Sequence, residues 1–238
     1  MPVIRSVFLC AALAAFAGCA PVSPNLPPPG GPLPPEPVAR TGRPQTVGDF
    51  EVVVRRVEPA AERVCREMRP ELNCDFEIVV DRRAGQPPNA FQTYDKAGRP
   101  VIGFTAALFG EMRNHDELAF ALSHEAAHHI EGHIVQTQAS GATGAILGGI
   151  LGSLAGLNTA GIEVAQDIGG TIGARQFSKT YELEADSLGA RIALRAGYDP
   201  LRGVLYFQRA SDPGDRFLGT HPPNANRIDV VRRTVAAY

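Results

Sequence analysis

The sequence predicts an α+β fold that is mostly helical, with a small β-sheet beside one central helix. Three observations predict it. Apolar residues recur at helical spacing through much of the chain beyond residue 47. Strand-like runs cluster only between residues 76 and 105. The pattern His124-Glu125-Ala126-Ala127-His128 follows directly on the apolar run Leu118 to Leu122, which makes its helix a buried one.

The elements follow in order. Val53, Val57, Ala60, Ala61 and Val64 place a helix over Val47 to Arg69, ended by Pro70 and Asn73. Phe76 to Val80 is a strand, stopped by Asp81 and the turn-prone run Ala84-Gly85-Gln86-Pro87-Pro88. Asn89 to Thr93 is a second short strand, Asp95 to Gly98 a hairpin turn, and Pro100 to Thr105 the returning strand. A short helix is expected over Thr105 to Met112. Asn114 then caps the helix carrying the histidines, with Glu117 three positions on in a capping-box arrangement, and that helix is expected to reach about Gln138. A sheet followed by such a helix is the order of a zincin-like domain.

Residues 140–173 are rich in Gly, Ala, Ile and Leu and uncharged until Glu163. The glycines suggest close helix packing, or a mobile element lying near a membrane or over the active site, and a small-residue helical hairpin is favoured above a true membrane span. A further helix begins near Tyr181, runs through Leu188, Ile192 and Leu194, and ends at Gly197. With no Trp and 7% aromatic residues, the core is expected to be aliphatic.

The chain of 238 residues has room for one domain with appendages. Residues 1–18 have the form of an export signal, with Arg5 ahead of the apolar run Val7 to Ala17. Ala17-Gly18 before Cys19 resembles a bacterial lipobox, in which Cys19 would be lipidated; an ordinary cleaved signal is the alternative. Ala20 after the cysteine favours, by the same resemblance, the outer membrane facing the periplasm. Ten of the 20 prolines lie between Pro21 and Pro44, so residues 19–46 form an extended tether to a domain spanning 47–238. Cys65 and Cys74 remain in that domain, and after export they can close a disulfide or stay as two buried thiols. A net charge of -2 without any basic run or phosphate-cradling glycine loop excludes a nucleic-acid partner.

The chemistry centres on His124 and His128, four apart and therefore on one helix face, where both imidazoles can hold one metal ion. Glu125 can reach a water beside that ion. Helical geometry turns His129 and His133 away from this face, and a structural or hydrogen-bonding role is expected for His133. A third protein ligand is needed. Glu182 and Asp186 share a helix face, so Glu182 can be that ligand and Asp186 an acceptor for a ligand imidazole, while Glu184 points elsewhere. An acidic helix start favoured by the helix dipole explains the same residues without a metal.

Several motifs in one order resemble the zinc metallopeptidase family of HtpX and the CAAX prenyl protease. They are Asn89-Ala90-Phe91, the H-E-x-x-H pattern with His133 after it, Phe177-Ser178, Glu182-x-x-x-Asp186, Gly197-Tyr198-Asp199-Pro200, and Thr220-His221-Pro222-Pro223 with Arg227. The resemblance spans roughly residues 47 to 238 and, with the lipobox, points to a periplasmic lipoprotein branch. It implies one zinc ion on His124, His128 and Glu182, with Glu125 as general base. It implies a peptidase acting on misfolded or misassembled envelope proteins, or a chaperone or assembly factor with latent proteolysis beside the outer-membrane assembly machinery. The strand Asn89 to Phe91 would be an edge for substrate, or an ordinary sheet edge. His221 would donate to the oxyanion, latch the site shut, or be a plain turn residue. Arg227 would be a partner within the same loop and helix.

Overall fold

The computed structural model describes residues 44–175, 178–210 and 222–238. The signal, Cys19, the tether up to residue 43, Phe177, Thr220 and His221 lie outside them. The packed part begins slightly before residue 47, because the amide of buried Gln45 donates to the Phe109 carbonyl at 2.9 Å.

Helix α1, Val47–Met68, starts at a reciprocal cap. The Thr46 hydroxyl accepts from the Asp49 amide, and the Asp49 carboxylate accepts from the Thr46 amide. Its apolar stripe, Phe50, Val53, Val57, Ala60, Ala61 and Val64, is buried throughout. At its end Cys65 and Cys74 form a disulfide with Cα atoms 5.7 Å apart, which pins the chain just before the sheet.

Strands β1 (Glu77–Asp81), β2 (Ala90–Tyr94) and β3 (Pro100–Thr105) form one sheet in the order β1-β3-β2. The central strand β3 pairs parallel with β1, Ile78 opposite Ile102, and antiparallel with β2, Phe91 opposite Gly103. Gly98, at φ +80°, turns the β2–β3 hairpin. Strand β2 therefore forms an edge of the sheet.

After α2 (Ala106–Glu111), helix α3 runs His115–Glu131. Asn114 caps it, its side-chain oxygen accepting from the Glu117 amide at 2.9 Å. The Glu117 carboxylate accepts from the Asn114 side-chain amide at 3.3 Å and not from the cap's backbone amide. It also accepts from the backbone amide of Arg113, one residue earlier, at 2.8 Å. The helix ends at Gly132, not near Gln138 as periodicity predicts. Gly132 sits at φ +76° and its amide donates to the carbonyls of His128 and His129. That left-handed conformation costs glycine little, so the chain breaks here and restarts as α4, His133–Leu154.

Helix α5, Thr159–Arg175, returns along α4 as a hairpin. A Cβ added to Gly144 or Gly148 would strike the carbonyl of Gly169 or Ala165, so the two backbones touch. The outward side chains are apolar and exposed, among them Ile146, Leu147, Ile150, Leu151 and Leu154. No helix among the described residues is long and apolar enough to cross a membrane.

Helix α6, Ser178–Arg195, packs along α3 and ends before Gly197, at φ +84°. Two short helices, α7 (Pro200–Gly203) and α8 (Tyr206–Arg209), precede α9, Asn224–Ala236. Helix α3 is the centre of the molecule. Leu118, Leu122, Ala126 and Ile130 join α1, the sheet and Leu188 and Ile192 of α6 in the main core. Phe120 joins Ala190, Val204 and Val231 in a smaller one. The main core is not purely aliphatic, because Phe50, Phe104 and Phe109 cluster with ring centroids 4.5 to 6.3 Å apart. This meeting of Phe50 of α1, Phe104 of β3 and Phe109 of α2 is something that overall composition does not reveal.

Candidate active site

Helix α3 places His124 and His128 one turn apart on a single face, with their Nε2 atoms 3.0 Å from each other. Helix α6 crosses α3 almost in backbone contact. A Cβ on Gly189 would lie 3.0 Å from the His124 backbone nitrogen and Cα. This approach carries Glu182, two turns before Gly189, to the same point. Its carboxylate oxygens lie 3.3 Å from His128 Nε2 and 3.6 Å from His124 Nε2. The three donor atoms fall within 4.8 Å of one another.

The outer nitrogens of both imidazoles are also engaged. His124 Nδ1 lies 2.9 Å from Asp186 Oδ1, and Asp186 is fully buried. Arg227 of α9 grips the same carboxylate twice, at 2.7 Å from Nε and from Nη2, and its guanidinium lies 3.9 Å over the Phe207 ring. Burial alone would push the Asp186 carboxyl up. Arg227, above all, overrides it and holds the group below the usual carboxylate range. An ionised Asp186 accepts, so His124 carries its proton on Nδ1 and turns a lone pair on Nε2 toward His128 and Glu182. His128 Nδ1 faces His133 Nδ1 at 2.9 Å, and His133 Nε2 faces Glu184 at 3.1 Å. Burial, helped by the neighbouring imidazoles, pushes His133 down to about 3, so its ring is neutral.

Nitrogen lone pairs and a carboxylate converging on one point could hold a metal ion between them. Two histidines and one glutamate leave a fourth position open, which is the donor set of a hydrolytic metal site. Glu125, next in sequence to His124, opens onto the same cavity of about 420 Å³. Burial pushes its carboxyl up, while the two imidazoles pull it back. Raising a carboxyl in this way suits a group that must take and return a proton.

The cavity is walled on one side by Pro88, Asn89 and Ala90 and on the other by Phe120, Tyr206 and Phe207. Of the three residues expected to form a substrate edge, Asn89 and Ala90 reach the cavity. Phe91 instead lays its ring over Gly103 across the sheet. Asn89 is fixed to β3, its amide donating to the Thr105 hydroxyl at 2.9 Å.

His129 stays outside this cluster. Its Nε2 donates to the Asn73 carbonyl at 2.8 Å and its Nδ1 meets the Tyr94 hydroxyl at 3.2 Å, tying α3 to the disulfide segment and to β2. His133 and Glu184 are a different matter. Uninterrupted helical geometry turns both away, yet the break at Gly132 brings His133 back onto His128, and Glu184 reaches it from α6. His133 does make hydrogen-bond contacts, as expected of it, but through the break at Gly132, which its place in an uninterrupted helix does not show.

No curated protein matches the chain. The model described as peptidase family M48 matches residues 50–235, a span that contains every described residue of the cluster. On that match the chain belongs to peptidase family M48 and is a metallopeptidase.

Proposed function

We propose that the protein is a zinc endopeptidase, exported, lipid-anchored through Cys19 to the outer membrane, and acting in the periplasm on misfolded or misassembled envelope proteins. The observation that carries the enzymatic part is the meeting of His124, His128 and Glu182 beside Glu125 in a cavity bordered by a sheet edge. The lipobox before Cys19 and the proline-rich tether support the location.

His124, His128 and Glu182 would hold the zinc ion. Zinc bound there would raise the acidity of a water and polarise the scissile carbonyl. Glu125 takes the proton of the attacking water and hands it to the leaving amine. An extended peptide adds to the edge of β2, so that its backbone is held by strand hydrogen bonds while Asn89 and Ala90 set its depth in the cavity. Asp186, clamped by Arg227, keeps the His124 ring in the orientation and tautomer that binding needs. His221, which lies outside the described residues, is assigned one of two roles, donor to the oxyanion or latch. His221→Ala separates these roles, since a lower turnover at full zinc content means donor and a higher one means latch.

The experiment for the activity is cleavage of an unfolded, casein-type substrate by wild type and Glu125→Gln at equal zinc content. Loss of general-base catalysis lowers turnover by about 10²- to 10⁴-fold. Equal activity in the two would reject the assignment. A second reading, a chaperone or assembly factor with latent proteolysis, is favoured by the apolar exposed face of the α4–α5 hairpin. Protection of an unfolded client from aggregation by Glu125→Gln would support it. For the anchor, Cys19→Ser is expected to abolish incorporation of a labelled fatty acid.

A further inference from the structure

The two ligand imidazoles are supported differently. His124 rests on a buried carboxylate. His128 rests on another histidine, His133, which rests in turn on a carboxylate at the surface. The His133 ring is 4% exposed and stacks on Tyr181 with centroids 4.5 Å apart, whereas the Glu184 side chain is 51% exposed.

The distances fix where the protons lie. A carboxylate only accepts, so the 3.1 Å contact to Glu184 puts the His133 proton on Nε2. Nδ1 of His133 then has a lone pair and no proton. It lies 2.9 Å from Nδ1 of His128, so that atom must carry the hydrogen. When His128 carries a single N–H, that hydrogen is therefore on Nδ1, and Nε2 is left with a lone pair aimed at Glu182 and His124. Nothing else in the relay can fix this choice, because His133 accepts or donates equally well at either nitrogen.

We propose that Glu184 and His133 are positioning residues for the metal site, acting in series to hold His128 in its metal-binding tautomer. The inference rests on the zinc site described above and names two of its determinants outside the H-E-x-x-H pattern. Gly132 makes the relay possible by ending α3 and restarting the chain with His133 against His128.

Because Glu184 is half exposed, its variants test the relay without opening the core. Glu184→Gln keeps an acceptor for His133 Nε2–H. Glu184→Ala removes it. Glu184→Lys offers a donor and drives the relay into the opposite tautomer. Zinc affinity is read by competition with a chelator of known affinity, and the His128 tautomer by nitrogen NMR of metal-free protein with labelled histidine. Expected are affinity within ~3-fold of wild type for Gln, roughly 10-fold weaker for Ala, and up to ~100-fold weaker for Lys, the range that removing such outer partners produces. The His128 Nδ1–H signal is expected in wild type and Gln and lost in Lys. His133→Asn, which can still accept from His128 through its amide oxygen, is expected to bind zinc more tightly than His133→Leu. Wild-type affinity in Ala and Lys, or an equal loss in Gln, Ala and Lys, would overturn the proposal. Retention of zinc by His128→Ala would instead overturn the zinc reading itself, whatever the Glu184 series shows.

Discussion

Among the described residues, two pairs of long helices come into backbone contact, and they serve opposite ends. In α3–α6 the contact at Gly189 sits in the core and carries His124, Glu182 and Asp186 into register. In α4–α5 the contacts at Gly144, Gly148 and Gly169 join two helices that bury little besides each other. The same small-residue chemistry thus yields a rigid polar cluster where other elements close over it. Where none does, it yields an exposed apolar face. Close approach by itself does not make a site; what surrounds the contact does.

The largest expected effect that separates the two regions is at Asp186. Asp186→Ala leaves Arg227 buried without its carboxylate, and breaking such a pair costs about 3–5 kcal/mol. Urea unfolding measures this, and zinc competition is expected to show a loss of roughly 10- to 100-fold. A smaller effect comes from the disulfide, which joins the end of α1 to the segment before β1. Cys65→Ser with Cys74→Ser removes a short loop closure worth about 2–3 kcal/mol, read as a lower midpoint in denaturant.

Gly189→Ala and Gly144→Ala make the sharpest comparison. Each adds one methyl between touching helices, an overpacking that costs about 1–3 kcal/mol. Only Gly189→Ala is expected to weaken zinc binding and proteolysis, since its new Cβ meets the His124 backbone. Equal damage to zinc affinity from Gly144→Ala would show that the hairpin and the site are coupled. The smallest effect is at the hairpin surface. Leu154 is 79% exposed, and Leu154→Gln is expected to shift stability by no more than about 0.5 kcal/mol. A large loss there would mean that a partner element covers the face.

Much of the architecture was legible because it is periodic. The stripe of α1, the short strand-like runs between turn residues, the cap at Asn114 and the small-residue hairpin all follow from local sequence. So does the shared face of His124 and His128, and that of Glu182 and Asp186. The break at Gly132 was not legible, since a glycine is tolerated inside a helical pattern and nothing local says that it will turn left-handed. Nor were the pairing of Arg227 with Asp186 and that of Glu184 with His133, which join residues 41 and 51 positions apart.

The sequence by itself determined which side chains share a helix face, because 3.6 residues per turn is a local property of the backbone. It thereby determined a pair of imidazoles able to hold a metal ion, a carboxylate beside them and an acidic helix able to supply a third ligand. Only the tertiary structure decided which nitrogen of each imidazole faces the site. That choice is made by the acceptors Asp186, His133 and Glu184, whose positions depend on how α3, α4, α6 and α9 pack. A proton's place on a ring is set by its partner's location in space, and no spacing along the chain encodes it.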